Sequence, residues 1–274
     1  MVNDYTLYSI KVKLKGLLEY NSQKEIICGF LMIELILLGL IVGTLSGFFG
    51  IGGGTILVPL LLLLGYETKI AIGISVVQMV FSSIYGSYLN NKKGTLDVAM
   101  VAAIGVGGFI GAFFSGIITS NLSSRALEII FLSFAIFALL RLFFQPREHQ
   151  DQREVNRVVL FVIGFFVGTI SMAIGVGGSI IIVPILVGFL HVPLKKAISA
   201  GLFFVVFSSA SGFISQAMQG HVDFESGVII GVASLFGVYL GIHLKDRVDV
   251  HLQRRLIVIF YVIVVTYLTQ RIFS

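Results

Sequence analysis

The chain has 274 residues, of which 57% are hydrophobic and 12% are charged, with a net charge of +5. Its mean hydropathy of +1.01 excludes a soluble globular domain, since such domains average about 25% charged residues. The apolar runs are continuous and long enough to cross a bilayer, which takes about 20 residues as a helix. They lack the alternation of a membrane barrel. The composition therefore predicts an all-α polytopic membrane protein.

Ten apolar segments follow one another along the chain. We predict them at 29–49, 54–65, 70–89, 98–119, 126–144, 157–175, 179–190, 197–216, 225–244 and 254–272. The second and seventh segments are only about a dozen residues long. At 1.5 Å per residue they cover little more than half of the hydrocarbon core. These two are either short tilted crossings or half-helices that enter the membrane and return.

A glycine-rich break interrupts the apolar sequence twice. Residues 43–59 read GTLSGFFGIGGGTILVP, and residues 168–184 read GTISMAIGVGGSIIIVP, which is 125 positions later. Nine of the eighteen positions that begin at Gly43 and Gly168 are identical. Such a break is costly in lipid because the freed backbone groups have no water to bond. Two copies at one spacing indicate a duplicated membrane protein.

The duplication continues beyond the glycine motif with one inserted residue, so the offset becomes 126. We predict an N-terminal tail over 1–29, either interfacial or partly disordered, and a first transmembrane repeat over 30–144. A polar linker follows over 145–156, and a second repeat occupies 157–274. Each repeat then contains about five segments and one glycine-broken helix.

The basic residues predict how the repeats sit in the membrane. If every segment reverses the side of the chain, twelve basic residues share one side, against three on the other: Lys92, Lys93, Arg141, Arg147, Arg153, Arg157, Lys195, Lys196, Lys245, Arg247, Arg254 and Arg255, against Lys69, Arg125 and Arg271. The positive-inside rule places the linker in the cytoplasm. The two halves would then be inverted, as in many secondary transporters. The four lysines of the N-terminal tail conflict with this arrangement.

The glycine breaks are the predicted binding site. A short helix that starts after each break points free N–H groups and its positive dipole end at the loop, which suits an anion, and glycine lets the backbone approach a ligand. The residues expected there are Gly50, Gly52, Gly53, Gly54 and Thr55 in the first copy, and Gly175, Gly177, Gly178 and Ser179 in the second. The alternative is close helix packing through small residues.

A polar stripe follows each short segment. Ser75, Gln78 and Ser82 are spaced three and four apart and share one helix face, and Ser208 lies in the corresponding segment of the second repeat. The stripe could line a pathway and bind oxyanion oxygens, or it could bond a neighbouring helix, which is the commoner use of Ser and Gln in membranes. The two interpretations have equal weight.

Ionisable side chains are almost absent from the segments. Glu34 and His243 are the candidates for coupling to protons, whereas Asp97 and Asp223 match between repeats and are expected as helix caps. The sequence offers no nucleophile–base pair, no metal-ligand cluster and no phosphate-binding loop. We therefore expect no catalytic residues, no metal and no cofactor, and the lone Cys28 excludes an internal disulfide or a thiol relay.

The doubled motif resembles that of the sulfite exporter family TauE/SafE. The resemblance rests on Gly50–Gly54 with Val58-Pro59, on Gly175–Gly178 with Val183-Pro184, and on the continuations at Lys69 and Lys195. It covers nearly all of 30–272. It implies a bacterial or archaeal inner-membrane permease, of a family linked to export of sulfite or of organosulfonates such as sulfoacetate.

These observations converge on a secondary transporter of a small sulfur-containing anion, sulfite or an organosulfonate, that works by alternating access and exports its substrate. The physical observations support a small anion, while sulfur and direction come from the resemblance alone. The alternatives are an uptake permease for thiosulfate, sulfate or a carboxylate, and a membrane-embedded enzyme or assembly factor. The expected partners are the anion, the lipid bilayer and, as one option, a second copy in a homodimer, with no nucleic acid.

Overall fold

The computed structural model describes residues 29, 32–49, 52–91, 98–143, 156–188, 190–192, 194–245 and 247–273. Within these ranges the chain forms helices and no strands. The first helix, α1, is Met32–Phe49. The others are α2 Gly54–Leu63, α3 Thr68–Asn91, α4 Val98–Phe113, α5 Ser115–Asn121, α6 Ser124–Phe143, α7 Arg157–Ala173, α8 Ser179–Gly188, α9 Leu194–Met218, α10 Phe224–Lys245 and α11 Val250–Phe273.

The predicted all-α polytopic architecture is confirmed, and each of the ten predicted segments coincides with a helix. The fourth segment divides at Phe114 into α4 and α5, which together still form one apolar span over Val101–Asn121. In the described part of the chain, six spans are long and apolar enough to cross a membrane. The helices after the glycine breaks, α2 and α8, have 10 residues each, as short as the sequence predicts.

Helix α1 shows how glycine organises the packing. Gly39, Gly43 and Gly47 lie four residues apart and face α10, where a β-carbon at Gly43 would overlap the backbone carbonyl of Ser234. The opposite face of α1 carries exposed aliphatic side chains, which suit lipid. Small residues at this spacing let two helix backbones approach closely, so this glycine stripe serves packing.

Helix α7 packs on α4 in the equivalent way. A β-carbon at Gly111 would be 2.8 Å from Thr169 Oγ1, and one at Gly237 would be 2.7 Å from the backbone nitrogen of Thr44. Gly111 and Gly237 are 126 positions apart, and Thr44 and Thr169 are 125 apart. The first helix of each predicted repeat therefore packs on the fourth helix of the other, so the two halves interlock.

Helices α6 and α11 run in opposite directions along each other. Arg271 near the end of α11 pairs with Glu128 near the start of α6, with 3.2 Å between Arg271 Nε and Glu128 Oε1. These are the fifth helices of the two predicted repeats, so their antiparallel arrangement supports the inverted plan. The orientation of the halves in the membrane remains a prediction.

The centre of the fold is formed by α3 and α9. These helices pack against each other, α2 packs on α3, and α8 packs on α9. The equivalent hydroxyls of Ser83 and Ser209 are 3.5 Å apart where α3 meets α9. The two short helices are thereby held against the middle of the protein.

Several sequence predictions fall outside the described residues. These are the tail before Gly29, the linker before Asn156, the helix cap at Asp97, the site residue Gly50 and the single Cys28. The proposed division into tail, repeats and linker therefore remains a prediction.

Candidate functional site

The two glycine breaks meet at the centre of the molecule. A β-carbon at Gly52 would lie 3.7 Å from Ser179 Oγ, and one at Gly54 would overlap the carbonyl oxygen of Gly175. Of the predicted site residues, the structure brings together Gly52, Gly53, Gly54, Thr55, Gly175, Gly177, Gly178, Ser179, Ser75 and Gln78. Segments more than 120 residues apart in the sequence thus form one buried junction.

Glycine is required at equivalent points of the two breaks. Gly52 and Gly177 both have a φ of 85°, in the left-handed region, which side chains with a β-carbon rarely adopt. The two copies therefore share this left-handed turn, although they differ at the next position, where φ is −67° at Gly53 and 72° at Gly178. Such a turn is what allows α2 and α8 to start abruptly after the break.

Both short helices begin at this junction. The amides of Ile56 and Leu57 donate to the carbonyl of Gly53, and those of Ile181 and Ile182 donate to the carbonyl of Gly178. No side chain caps α2 at Gly53. The N–H groups that come before Ile56 in α2 and before Ile181 in α8 have no acceptor within their own helix. The positive ends of two helix dipoles therefore converge on one region.

Helix α3 supplies the side chains that fill the junction. The hydroxyl of Ser75 donates to the carbonyl of Gly175 over 2.8 Å, so the first residue of the predicted stripe binds the second break directly. Met79 is completely buried, and its Sδ would lie 2.7 Å from a β-carbon at either Gly54 or Gly177. Met79 therefore lies between the two breaks.

Gln78 is the distinctive polar group of the site. Its carboxamide lies on Gly53, where a β-carbon would be 2.6 Å from Gln78 Cδ. The side chain is completely buried, and neither Nε2 nor Oε1 has a hydrogen-bond partner in the described structure. Buried polar side chains nearly always have a partner, so these two atoms are available to a ligand.

The second break has a different lining from the first. The residue equivalent to Gln78 is Phe204, and its ring carbon Cε1 would lie 2.7 Å from a β-carbon at Gly178. Ser171 Oγ would lie at the same distance from that β-carbon, and it is also buried with no partner among the described residues. The duplicated backbone thus carries an amide at one break, and a phenyl ring with a hydroxyl at the other.

Sequence reasoning missed Met79, Ser171 and Phe204. Ser171 had a usable signal, because it is identical to Ser46 at the same place in the two motifs. Met79 and Phe204 differ from their counterparts in the other repeat, so a comparison of the repeats passes over them. Their role depends on the tertiary contact between α3, α9 and the breaks.

The remainder of the polar stripe bonds locally. Ser82 Oγ donates to the carbonyl of Met79 over 3.5 Å, and Ser208 Oγ donates to that of Phe204 over 2.8 Å. Both hydroxyls therefore satisfy carbonyls of their own helices in this conformation. Thr55 Oγ1 likewise donates to the carbonyl of Gly52 over 3.4 Å. The contribution of all three to binding remains a prediction.

Charged groups lie away from the junction. Glu34 and His243 are exposed on the outer surface, and Asp223 caps α10 by accepting from the amide of Ser226 over 3.2 Å, as predicted. Among the described residues, Glu128 is the one charged side chain classed as buried, and it pairs with Arg271. The described part of the chain also holds no group of three metal-ligating side chains.

A hydrogen-bonded chain links the second break to one surface of the protein. His221 Nδ1 donates to Gln216 Oε1 over 2.8 Å, Gln216 Nε2 donates to Thr119 Oγ1 over 2.9 Å, and Thr119 Oγ1 donates to the carbonyl of Ala173 over 3.0 Å. Ala173 is the last residue of α7, immediately before the break. The network therefore fixes the end of that helix.

The environment of His221 favours its neutral form. Burial lowers the pKa of this histidine below its ordinary value of 6.5, the nearby Lys69 lowers it further, and Glu67 acts in the opposite direction. Lys69 is held in place by donating to the carbonyl of Ser120 over 2.8 Å. Nothing in the sequence pointed to the contact between Gln216 and His221.

Known proteins of similar sequence are named as membrane transporters. The probable membrane transporter protein YunE of Bacillus subtilis (strain 168) is 27% identical over 248 residues, which cover 79% of this chain and 89% of that protein. The probable membrane transporter protein MJ0441 of Methanocaldococcus jannaschii is 26% identical over 234 residues, which cover 78% and 86%. No solved structure matches the chain.

Two further comparisons concern the family. A protein of Arabidopsis thaliana named sulfite exporter TauE/SafE family protein 6 is 28% identical over 116 residues, which cover 42% of this chain and 27% of that protein. The model of the family described as sulfite exporter TauE/SafE matches residues 35–268. These findings agree with the apolar spans of the described helices. The chain is a multi-pass membrane transporter and belongs to the sulfite exporter TauE/SafE family.

Proposed function

We propose that this protein is a secondary transporter of a small sulfur-containing anion, either sulfite or an organosulfonate such as sulfoacetate. The substrate binds where the two glycine breaks meet, and alternating access moves it outward across the inner membrane. The observation that carries the proposal is the convergence of two helix N-termini on a buried junction beside the amide of Gln78, which has no partner among the described residues.

The physical part of the proposal concerns how an anion is held without a cation. Each helix N-terminus contributes about 0.3–1 kcal/mol toward a negative charge when exposed, and up to about 2 kcal/mol when partly buried. Each N–H that donates to a charged oxygen adds about 1.5–3 kcal/mol. Several such donors together offset part of the desolvation of a small monoanion. They would offset far less of the larger desolvation of a dianion.

Sulfur and the outward direction have a separate basis. The family name and the name of the Arabidopsis relative refer to sulfite export, whereas the microbial relatives are named only as probable membrane transporters. The site chemistry favours a small oxyanion and is indifferent to its central atom. Uptake of thiosulfate, sulfate or a carboxylate is therefore the second candidate.

Alternating access fits the closed state of the junction. Gly53, Gly54, Thr55 and the residues from Gly175 to Ser179 are buried, and Gln78 lies directly on Gly53. A ligand that reaches the amide must therefore part the two breaks. Helix α2 packs on α3, and α8 packs on α9. A movement of α2 with α3 away from α8 with α9 would therefore open the junction.

Transport into proteoliposomes tests the proposal. Purified protein is reconstituted, and uptake of labelled sulfite is compared with that of sulfate, thiosulfate, sulfoacetate and acetate. Saturable uptake of sulfite or sulfoacetate over protein-free vesicles supports the proposal. Saturable uptake of acetate or sulfate alone favours the second candidate. Binding without any uptake would instead point to an enzyme or an assembly factor.

A further inference from the structure

The amide of Gln78 needs two kinds of partner at once. Nε2 carries two N–H donors, and Oε1 only accepts. Both atoms are buried, and within the described structure neither has a partner. The conclusion does not depend on which way the amide is turned, because its nitrogen and its oxygen both lack a partner among the described residues. A ligand that satisfies Gln78 must therefore offer an acceptor and a donor.

No described residue supplies a donor for Oε1 of Gln78. The adjacent Met79 is apolar, and Ser75, one turn earlier on α3, directs its hydroxyl to the carbonyl of Gly175. The amides at the start of α2 face the same junction and are donors as well. The junction is thus rich in donors for an anion. Among the unpartnered groups described there, the hydroxyl of Ser171 can donate or accept, whereas Gln78 Oε1 can only accept.

Because Gln78 Oε1 can only accept, it discriminates between forms of a substrate. A fully deprotonated oxyanion offers only acceptors, so it would satisfy Nε2 and leave Oε1 facing a negative oxygen. A monoanion with an O–H or N–H group would satisfy both atoms. Among the described residues, Glu128 is the one buried charged side chain. It is negative, lies near the start of α6, and is already paired with Arg271 of α11. Among the residues that the structure describes, no buried cation is present to compensate a second negative charge.

We infer that Gln78 selects a monoanion that carries a hydrogen-bond donor beside its anionic oxygens, either a monoprotonated oxyanion or a hydroxylated sulfonate or carboxylate. The inference rests on the proposed function and narrows the class of substrate taken by the same site. It favours monoprotonated sulfite over sulfoacetate, because both acidic groups of sulfoacetate are ionised near neutral pH. Nε2 donates to an anionic oxygen, and Oε1 accepts the O–H or N–H of the ligand.

Isosteric pairs of anions test this inference on the purified full-length protein. Isethionate and 1-propanesulfonate differ by a hydroxyl in place of a methyl group, as do glycolate and propionate. Binding is measured by calorimetry, and sulfite is added as a third arm at pH values on either side of its second ionisation. We expect the hydroxylated anion of each pair to bind at least about tenfold more tightly than the methyl-bearing one. The methyl-bearing anion leaves Gln78 Oε1 buried and unpaired.

Variants assign the preference to Gln78. In Gln78→Leu the preference should fall to about onefold, while the variant keeps its elution profile and thermal transition. Gly86→Ala on the same helix is the control, since a β-carbon there meets nothing within 4 Å, and it should retain the wild-type ratio.

Three results would overturn the inference in different ways. Equal binding of both members of each pair, with no preference for monoprotonated sulfite, removes the donor requirement but leaves anion transport standing. A preference that persists in folded Gln78→Leu assigns the selection to another residue. Failure of every anion, sulfite included, to bind the wild-type protein removes the proposed function and this inference together.

Discussion

Substitution of alanine for two adjacent glycines of the first break should have different effects: Gly53→Ala should lower anion affinity, and Gly54→Ala should lower stability. At Gly53, φ is −67° and ψ is −31°, a helical conformation that alanine adopts without strain. The new methyl group would overlap the carboxamide of Gln78, which is the far end of a flexible side chain. At Gly54 the methyl group would overlap the backbone carbonyl of Gly175, which moves only if the two breaks separate.

The magnitudes follow from these contacts. Gly53→Ala displaces Gln78 and removes two hydrogen bonds to the ligand, about 1.5–3 kcal/mol for the bond to an anionic oxygen and about 0.5–1.5 kcal/mol for the other. At about 1.4 kcal/mol per tenfold, anion affinity should fall roughly 30- to 1,500-fold. Overpacking of a core costs about 1–3 kcal/mol. Gly54→Ala should lower the free energy of unfolding by an amount near the top of that range.

Calorimetric titration of sulfite and thermal unfolding in detergent separate the two effects. Gly86→Ala is the control for both measurements, because it adds a methyl group to α3 in open space. If folded Gly53→Ala binds sulfite as tightly as the wild type, Gly53 and Gln78 do not form the site. If Gly54→Ala is as stable as the wild type, the breaks do not pack as described.

Three other predictions concern orientation, pH and stability. A cysteine at Gln150 should resist an impermeant thiol reagent in intact cells and one at Asn121 should react, whereas labelling of position 150 but not of 121 would refute the inverted topology. Because the pKa of folded His221 is lowered, the unfolded chain binds a proton there more readily, so stability should be full above about pH 6.5 and decline as the pH falls below it. Thermal transitions across pH should show less of this decline in His221→Gln, and an unchanged profile would contradict the assignment. Glu128→Gln weakens the pair with Arg271 and should reduce the free energy of unfolding by about 1–3 kcal/mol, so a wild-type denaturation midpoint would show that the pair contributes little.

The sequence was sufficient for the features that depend on local composition and repetition. Continuous apolar runs must become helices in lipid, because only a helix satisfies its backbone within one segment. The positions of the helices, the shortness of α2 and α8 and the cap at Asp223 followed from that rule and from helix capping. The doubled glycine motif also identified the two segments that meet at the centre.

Tertiary structure determined what each glycine does. Gly43 and Gly53 both belong to the first motif, yet Gly43 packs α1 on α10 and Gly53 supports the amide of Gln78. Periodicity cannot separate these uses, because a small residue that admits a neighbouring backbone and one that admits a side chain look the same in sequence. The helix that lies opposite each glycine makes the difference.

Tertiary structure also determined which polar residues have partners. Ser75, Gln78 and Ser82 share a helix face and looked equivalent in the sequence. In the fold, Ser75 bonds Gly175 across the junction, Ser82 bonds its own helix, and Gln78 has no partner among the described residues. A hydrogen bond depends on atoms brought together from distant parts of the chain, so the sequence alone could place these side chains on one face but could not say which of them remains open to a ligand.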